Sequence, residues 1–137
     1  MVRRTRRTGL GLAGWLCAAV LGACTEEEPE QALVRLDSPD RTQAVLVTST
    51  DFTVEGGTTT LLEADTVTVS LPFEQVYPLD SPARFYSYAS FGDTLPATLA
   101  LTIFIDERQW FADSRRLNDP EPAGLEFTYR WSTGLLF

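Results

Sequence analysis

At 137 residues, 44% hydrophobic and 11% aromatic, the chain has room for one small domain and enough apolar material to fill its core. Its formal charge is −8, every basic residue is arginine, and histidine is absent. An acidic surface repels phosphate backbones, which excludes nucleic-acid binding, and without histidine the commonest general base and metal ligand is missing.

The N-terminal end has the layout of an export signal. Met1 to Thr8 is basic, Gly9 to Ala23 is apolar, and a small residue precedes an abrupt acidic turn. Fifteen apolar residues rise only about 22 Å as a helix, against a hydrocarbon core of roughly 30 Å, so a cleaved segment is expected and a permanent span is not. Leu21-Gly22-Ala23-Cys24 resembles the lipobox of bacterial lipoproteins: aliphatic, small, small, cysteine. That resemblance implies a signal peptide over residues 1–23 and acyl chains on Cys24, which becomes the new N-terminus. It places the domain in the bacterial cell envelope, lipid-anchored to a membrane and outside the cytoplasm.

Cleavage there leaves seven arginines against nineteen acids, a formal charge of −12. Cys17 leaves with the signal and Cys24 becomes a thioether, so no disulfide is expected and the domain must stand on its core. After the anchor, Thr25 to Gln31 reads TEEEPEQ, four glutamates and a proline with nothing to bury. Residues 24–31 are therefore expected to form a flexible acidic tether that lifts the domain off the headgroups.

From Ala32 to Phe137 the hydrophobic period is two, not 3.6. ALVRL and QAVLVTST open the series. DTVTVSLPF sets Val67, Val69 and Leu71 against Thr66, Thr68 and Ser70, and ARFYSYASF sets Phe85, Ser87, Ala89 and Phe91 against Tyr86 and Tyr88. ATLALTIFI aligns Leu99, Leu101, Ile103 and Ile105; a break at Asp106 to Arg108 closes a hairpin onto QWFADS. LEFTYRW aligns Leu125, Phe127, Tyr129 and Trp131. About seven half-buried strands, with Pro and Gly at the breaks and no apolar run of helical length, predict an all-β fold: an antiparallel β-sandwich of Ig-like form over residues 32–137.

Residues 69 to 117 are similar to small bacterial envelope proteins of Ig-like β-sandwich form, including the mycobacterial MmpS type. The matching positions are Leu71-Pro72-Phe73, Phe85 to Ala89, and Thr102 to Asp106. Glu107 stands where that pattern has glycine, which implies a turn other than the Asp-Gly type, since glutamate disfavours positive φ. The anchor resembles a lipid attachment instead of a retained helix, so the role of that family as an exporter's accessory is not carried over.

Candidate chemistry is sparse. Asp106 and Glu107 are adjacent in a tight turn and point apart, whereas glycosidase carboxylates face each other across roughly 5 to 9 Å. In DSRRLNDPEP, read as a loop, Asp113, Asn118, Asp119 and Glu121 are the oxygen ligands that calcium would take, although their spacing is not that of an EF-hand. Tyr86 and Tyr88 share the face opposite Phe85 and are the residues that would meet a carbohydrate or apolar ligand on an open sheet. No G-x-S-x-G occurs and no His or Lys base is present, so no catalytic dyad and no cofactor is expected. The expected function is that of a non-catalytic, membrane-tethered interaction module with an envelope protein partner; the alternative is a lipoprotein that binds calcium, a carbohydrate or another small ligand.

Overall fold

A computed structural model describes residues 27–92, 96–118 and 121–132. Among the described residues, eight strands follow one another without a helix: β1 (Gln31–Asp37), β2 (Gln43–Glu55), β3 (Thr58–Ser70), β4 (Phe73–Pro78), β5 (Arg84–Ser90), β6 (Ala97–Ile105), β7 (Arg108–Leu117) and β8 (Gly124–Arg130). They form two four-stranded sheets, β4-β1-β6-β7 and β3-β2-β5-β8, in which every neighbouring pair is antiparallel. The predicted antiparallel β-sandwich is the observed fold, with eight strands in place of seven.

Alternation explains which face of each strand is inside. In β6, Ala97, Leu99, Leu101, Ile103 and Ile105 are buried while the residues between them are half-exposed. Ala32, Val34 and Leu36 of β1 lie on the same side, since Val34 pairs with Ile103 and Leu36 with Leu101. From the other sheet come Ala44 and Leu46 of β2, Phe85 and Ala89 of β5, then Leu125, Phe127 and Tyr129 of β8. A one-residue slip in any of these strands would turn its whole apolar set to solvent, so the register is held by the core itself. Among the described residues, Ser87 is fully buried and its Oγ has no hydrogen-bond partner.

The additional strand is β4. Phe73 was expected to finish the strand begun at Asp65, but that strand ends at Ser70 in one sheet, and Leu71-Pro72 carries the chain across to the other. The Leu71 N–H donates to the Thr42 carbonyl, which marks the crossing. β4 is a short edge strand with Phe73 and Tyr77 partly buried and Val76 exposed, too weak an alternation to stand out in the sequence.

β2 and β3 are longer than their alternation suggested, thirteen residues each, and are joined through Gly56 and Gly57 at φ of 56° and 80°. Both central residues with positive φ give the type I′ turn that matches strand twist. The pairing is irregular between Thr48 and Phe52, and this bulge changes the face that β2 presents. Before it, Thr48 pairs with the buried Ser87; after it, Phe52 packs on the Tyr86 ring on the opposite face of the sheet, 6.1 Å between centroids, and is itself buried. Arg84 ties the irregularity down. Its Nε and Nη1 donate to the carbonyls of Thr50 and Phe52, each at 3.0 Å, and Nη2 donates to Asp51 Oδ1 at 2.9 Å.

The β6–β7 turn departs from expectation. Asp106 and Glu107 have φ of 48° and 69°, so the connection takes the type I′ form after all, with no glycine in it. The two-residue length imposes that shape, and Asp106 is held in it. Its carboxylate accepts the backbone N–H groups of Glu30 at 3.1 Å and Gln31 at 3.2 Å, while its own N–H donates to the Gln31 carbonyl.

Candidate functional site

The four oxygen ligands considered for calcium are not presented by one loop. Residues 113–117 continue β7, and Asp113 lies directly opposite Leu101 on the inward side of that edge strand. Alternation dictates this: Phe111, Asp113, Arg115 and Leu117 share a face, and an edge position lets a charged side chain reach water. Asp113 Oδ2 meets Arg115 Nε at 3.1 Å. Five residues of extended chain, about 16 Å, separate it from Asn118. The Asn118 N–H donates to the Pro122 carbonyl, Glu121 is exposed, and Asp119 lies outside the described residues. Among the described residues, no three Asp, Glu, Cys or His side chains group as they would around a metal ion. Cys24 also lies outside the described residues.

Tyr86 and Tyr88 do share the outer face of their sheet, but each is occupied within the domain. Tyr86 is only 7% exposed; it rests against Phe52 and its hydroxyl donates to Glu126 Oε2 at 2.7 Å. Burial, followed by that hydrogen bond, pushes the hydroxyl's pKa well above the ordinary tyrosine value of 10.0. Tyr88 is half-buried and its ring lies across Gly124 of β8. The aromatic pair that looked available to a ligand is part of the packing.

The exposed aromatic surface is elsewhere and was not legible as a site. In β7 the pairing shifts between Ile103 and Phe104, leaving Trp110 as the extra residue between Gln109 and Phe111. The bulge re-aims Trp110, which stands 49% exposed with its ring edge-on to Tyr129 at 4.9 Å and beneath the Arg108 guanidinium at 5.5 Å. Trp131 and Arg130 continue this wall, and Glu27 and Asp106 close it, around an open groove of about 510 Å³. The one sequence signal is that Trp110 and Phe111 are adjacent aromatics, which breaks strict alternation.

A second cleft, also about 510 Å³, runs under the edge strand β3. Thr48, Ser49 and Thr50 form its floor, Tyr77 of β4 one wall, and the carboxylates of Glu63 and Asp65 its lip. Ser49 Oγ donates to the Glu63 carbonyl, holding β3 against the floor. Burial first, and then the negative charge of Asp65, raises the pKa of the Tyr77 hydroxyl. Among the described residues, its lining carries two carboxylates and no cationic side chain, a balance that favours a positively charged visitor.

β3 is the longest edge, thirteen residues, with Leu62 standing as an extra residue where its pairing with β2 shifts between Leu61 and Glu63. Among the described residues its far side has no neighbouring strand, and Leu62 and Val67 are 57% and 47% exposed. The other edges are shorter. β4 is six residues long and ends at Pro78, β8 is seven residues long, and β7 carries a bulge and an inward ion pair. No family model, curated protein or solved structure matches the chain.

Proposed function

We propose that this chain is a lipid-anchored, non-catalytic protein of the bacterial cell envelope whose sandwich binds an extended, basic segment of a partner protein along β3. The anchor is the acylated Cys24, read from the resemblance of Leu21 to Cys24 to a lipobox. The observation that carries the binding role is the edge strand β3, whose run from Glu63 to Ser70 offers backbone donors and acceptors beside the carboxylates of Glu63 and Asp65. Main-chain pairing at such an edge supplies affinity, and the flanking side chains supply selectivity. A domain with a formal charge of −12 selects lysine- or arginine-rich segments and rejects acidic ones.

The test is photo-crosslinking in the envelope of the producing bacterium, with the crosslinker at position 62 or 67 of the full chain. One recurrent protein whose crosslinked peptide is extended and basic supports the proposal, and Glu63→Lys with Asp65→Lys should abolish its capture. Crosslinks scattered over many proteins, or unaffected by the charge reversal, overturn it. The anchor has its own check: wild type should carry fatty acid at Cys24 and partition into detergent, and Cys24→Ala should do neither.

A further inference from the structure

We infer that the end of the sandwich bearing Trp110 and Trp131 lies directly on the membrane surface, with zwitterionic lipid headgroups as its occupant. The inference rests on the anchor proposed above and adds which face the anchor turns to the bilayer. The second half of the expected tether, Glu28 to Gln31, is taken up by the domain. Glu28 accepts hydrogen bonds from Ser81 Oγ at 2.7 Å and the Ala83 N–H at 2.9 Å; Pro29 is buried; Glu30 and Gln31 are bonded to Asp106; and the Glu30 carbonyl accepts the Leu79 N–H at 2.9 Å. Among the described residues, hydrogen bonding to the domain thus begins at Glu28, ahead of the expected domain start at Ala32.

Glu27 is part of the wall of the Trp110 groove. Whatever path the chain takes, three peptide units from Cys24 to Glu27 span at most about 11 Å between Cα atoms. A lipidated cysteine in the headgroup layer therefore leaves this end of the domain no room to stand away from it.

The surface brought there suits an interface. Trp110 is half-exposed, Trp131 is partly buried beside it, and indole rings partition to the headgroup level of bilayers. Arg108 and Arg130 stand in the same groove as Glu27 and Asp106, with Glu107 exposed in the adjoining turn. Cationic and anionic groups side by side match a headgroup that carries both a phosphate and an ammonium. The several carboxylates at this end argue against a purely anionic surface as the preferred one.

The tryptophan inventory makes the test direct. The chain has three tryptophans, Trp15, Trp110 and Trp131, and cleavage before Cys24 removes the first. Full-length protein, produced in a lipidating bacterium and reconstituted into phosphatidylethanolamine–phosphatidylcholine vesicles, would report on this one surface through its intrinsic emission. With lipids brominated near the headgroup end of the acyl chain, emission should fall to roughly half or less and shift to the blue. Trp110→Phe should lower the quenched share, and raised salt should change it little. The wild-type measurement decides the matter even if that variant folds poorly. Protein that carries its acyl chains and floats with the vesicles, yet emits unquenched and stays open to a water-soluble quencher, overturns the docking and leaves the anchor standing. Absence of an acyl group on Cys24 in the mass spectrum overturns both, and the two failures are thereby told apart.

Discussion

The Tyr88 ring occupies the space that a side chain on Gly124 would need: a Cβ placed there would lie 2.6 Å from Tyr88 Oη and 2.7 Å from Cε2. Gly124 pairs with Ser90, so it is the neighbour of Tyr88 on the same outer face, and the aromatic ring covers a backbone that glycine leaves bare. A residue without a side chain and a residue with a large one thus form a single packing unit across β5 and β8.

Gly124→Ala should therefore cost about 1 to 3 kcal/mol, the usual range for overfilling a packed contact. The check is a double-mutant cycle by urea denaturation. In a Tyr88→Ala background the same substitution should cost nothing, and an unchanged penalty there would show that the strain at Gly124 has another source.

Tyr86 predicts a pH dependence. Its hydroxyl keeps its proton in the folded state well above the pH at which it ionises in the unfolded chain, through burial and then the hydrogen bond to Glu126. The folded state consequently binds more protons than the unfolded state once pH passes the unfolded value, so stability that is complete below pH 10.0 declines as pH rises beyond it. Tyr77, raised by burial and by Asp65, acts in the same direction. Tyr86→Phe should lose about 0.5 to 1.5 kcal/mol at neutral pH and show a shallower alkaline decline, read from urea midpoints at neutral pH and at roughly pH 11.

In the β6–β7 turn the two residues should respond oppositely to glycine. Glu107 is exposed at φ 69°, so Glu107→Gly relieves a left-handed conformation and should raise stability by about 0.5 to 1 kcal/mol. Asp106→Gly eases φ 48° but removes the carboxylate that accepts the N–H groups of Glu30 and Gln31, and should lower the midpoint. It should also speed amide exchange at residues 30 and 31. A stabilising Asp106→Gly would refute the clamp.

Ser87→Ala removes a buried hydroxyl that has no partner and leaves the chain otherwise unaltered. Loss of an unsatisfied polar group should stabilise the domain by about 1 kcal/mol, seen as a raised thermal midpoint. A destabilisation would mean that Oγ is satisfied in solution.

Much of the fold was legible in the sequence because burial in a sandwich is a matter of alternation. Leu99, Leu101, Ile103 and Ile105 share one parity, as do Phe85, Ser87 and Ala89, and the parity alone determined their inward face. The lipobox-like Leu21 to Cys24 was equally local, a string readable without any neighbour. Tertiary structure decided what alternation cannot carry. Whether a strand is central or at an edge depends on its partners, so Val67 alternates like a core residue yet stands exposed on β3. Bulges reverse parity in mid-strand, which turned the buried Phe52 to the Tyr86 side of its sheet and put Trp110 in the open groove. The fate of TEEEPEQ was likewise a long-range matter: its glutamates have nothing to bury locally, but Asp106 and the Ser81 to Ala83 loop, more than fifty residues away in the chain, supply the hydrogen bonds that draw Glu28 to Gln31 into the domain.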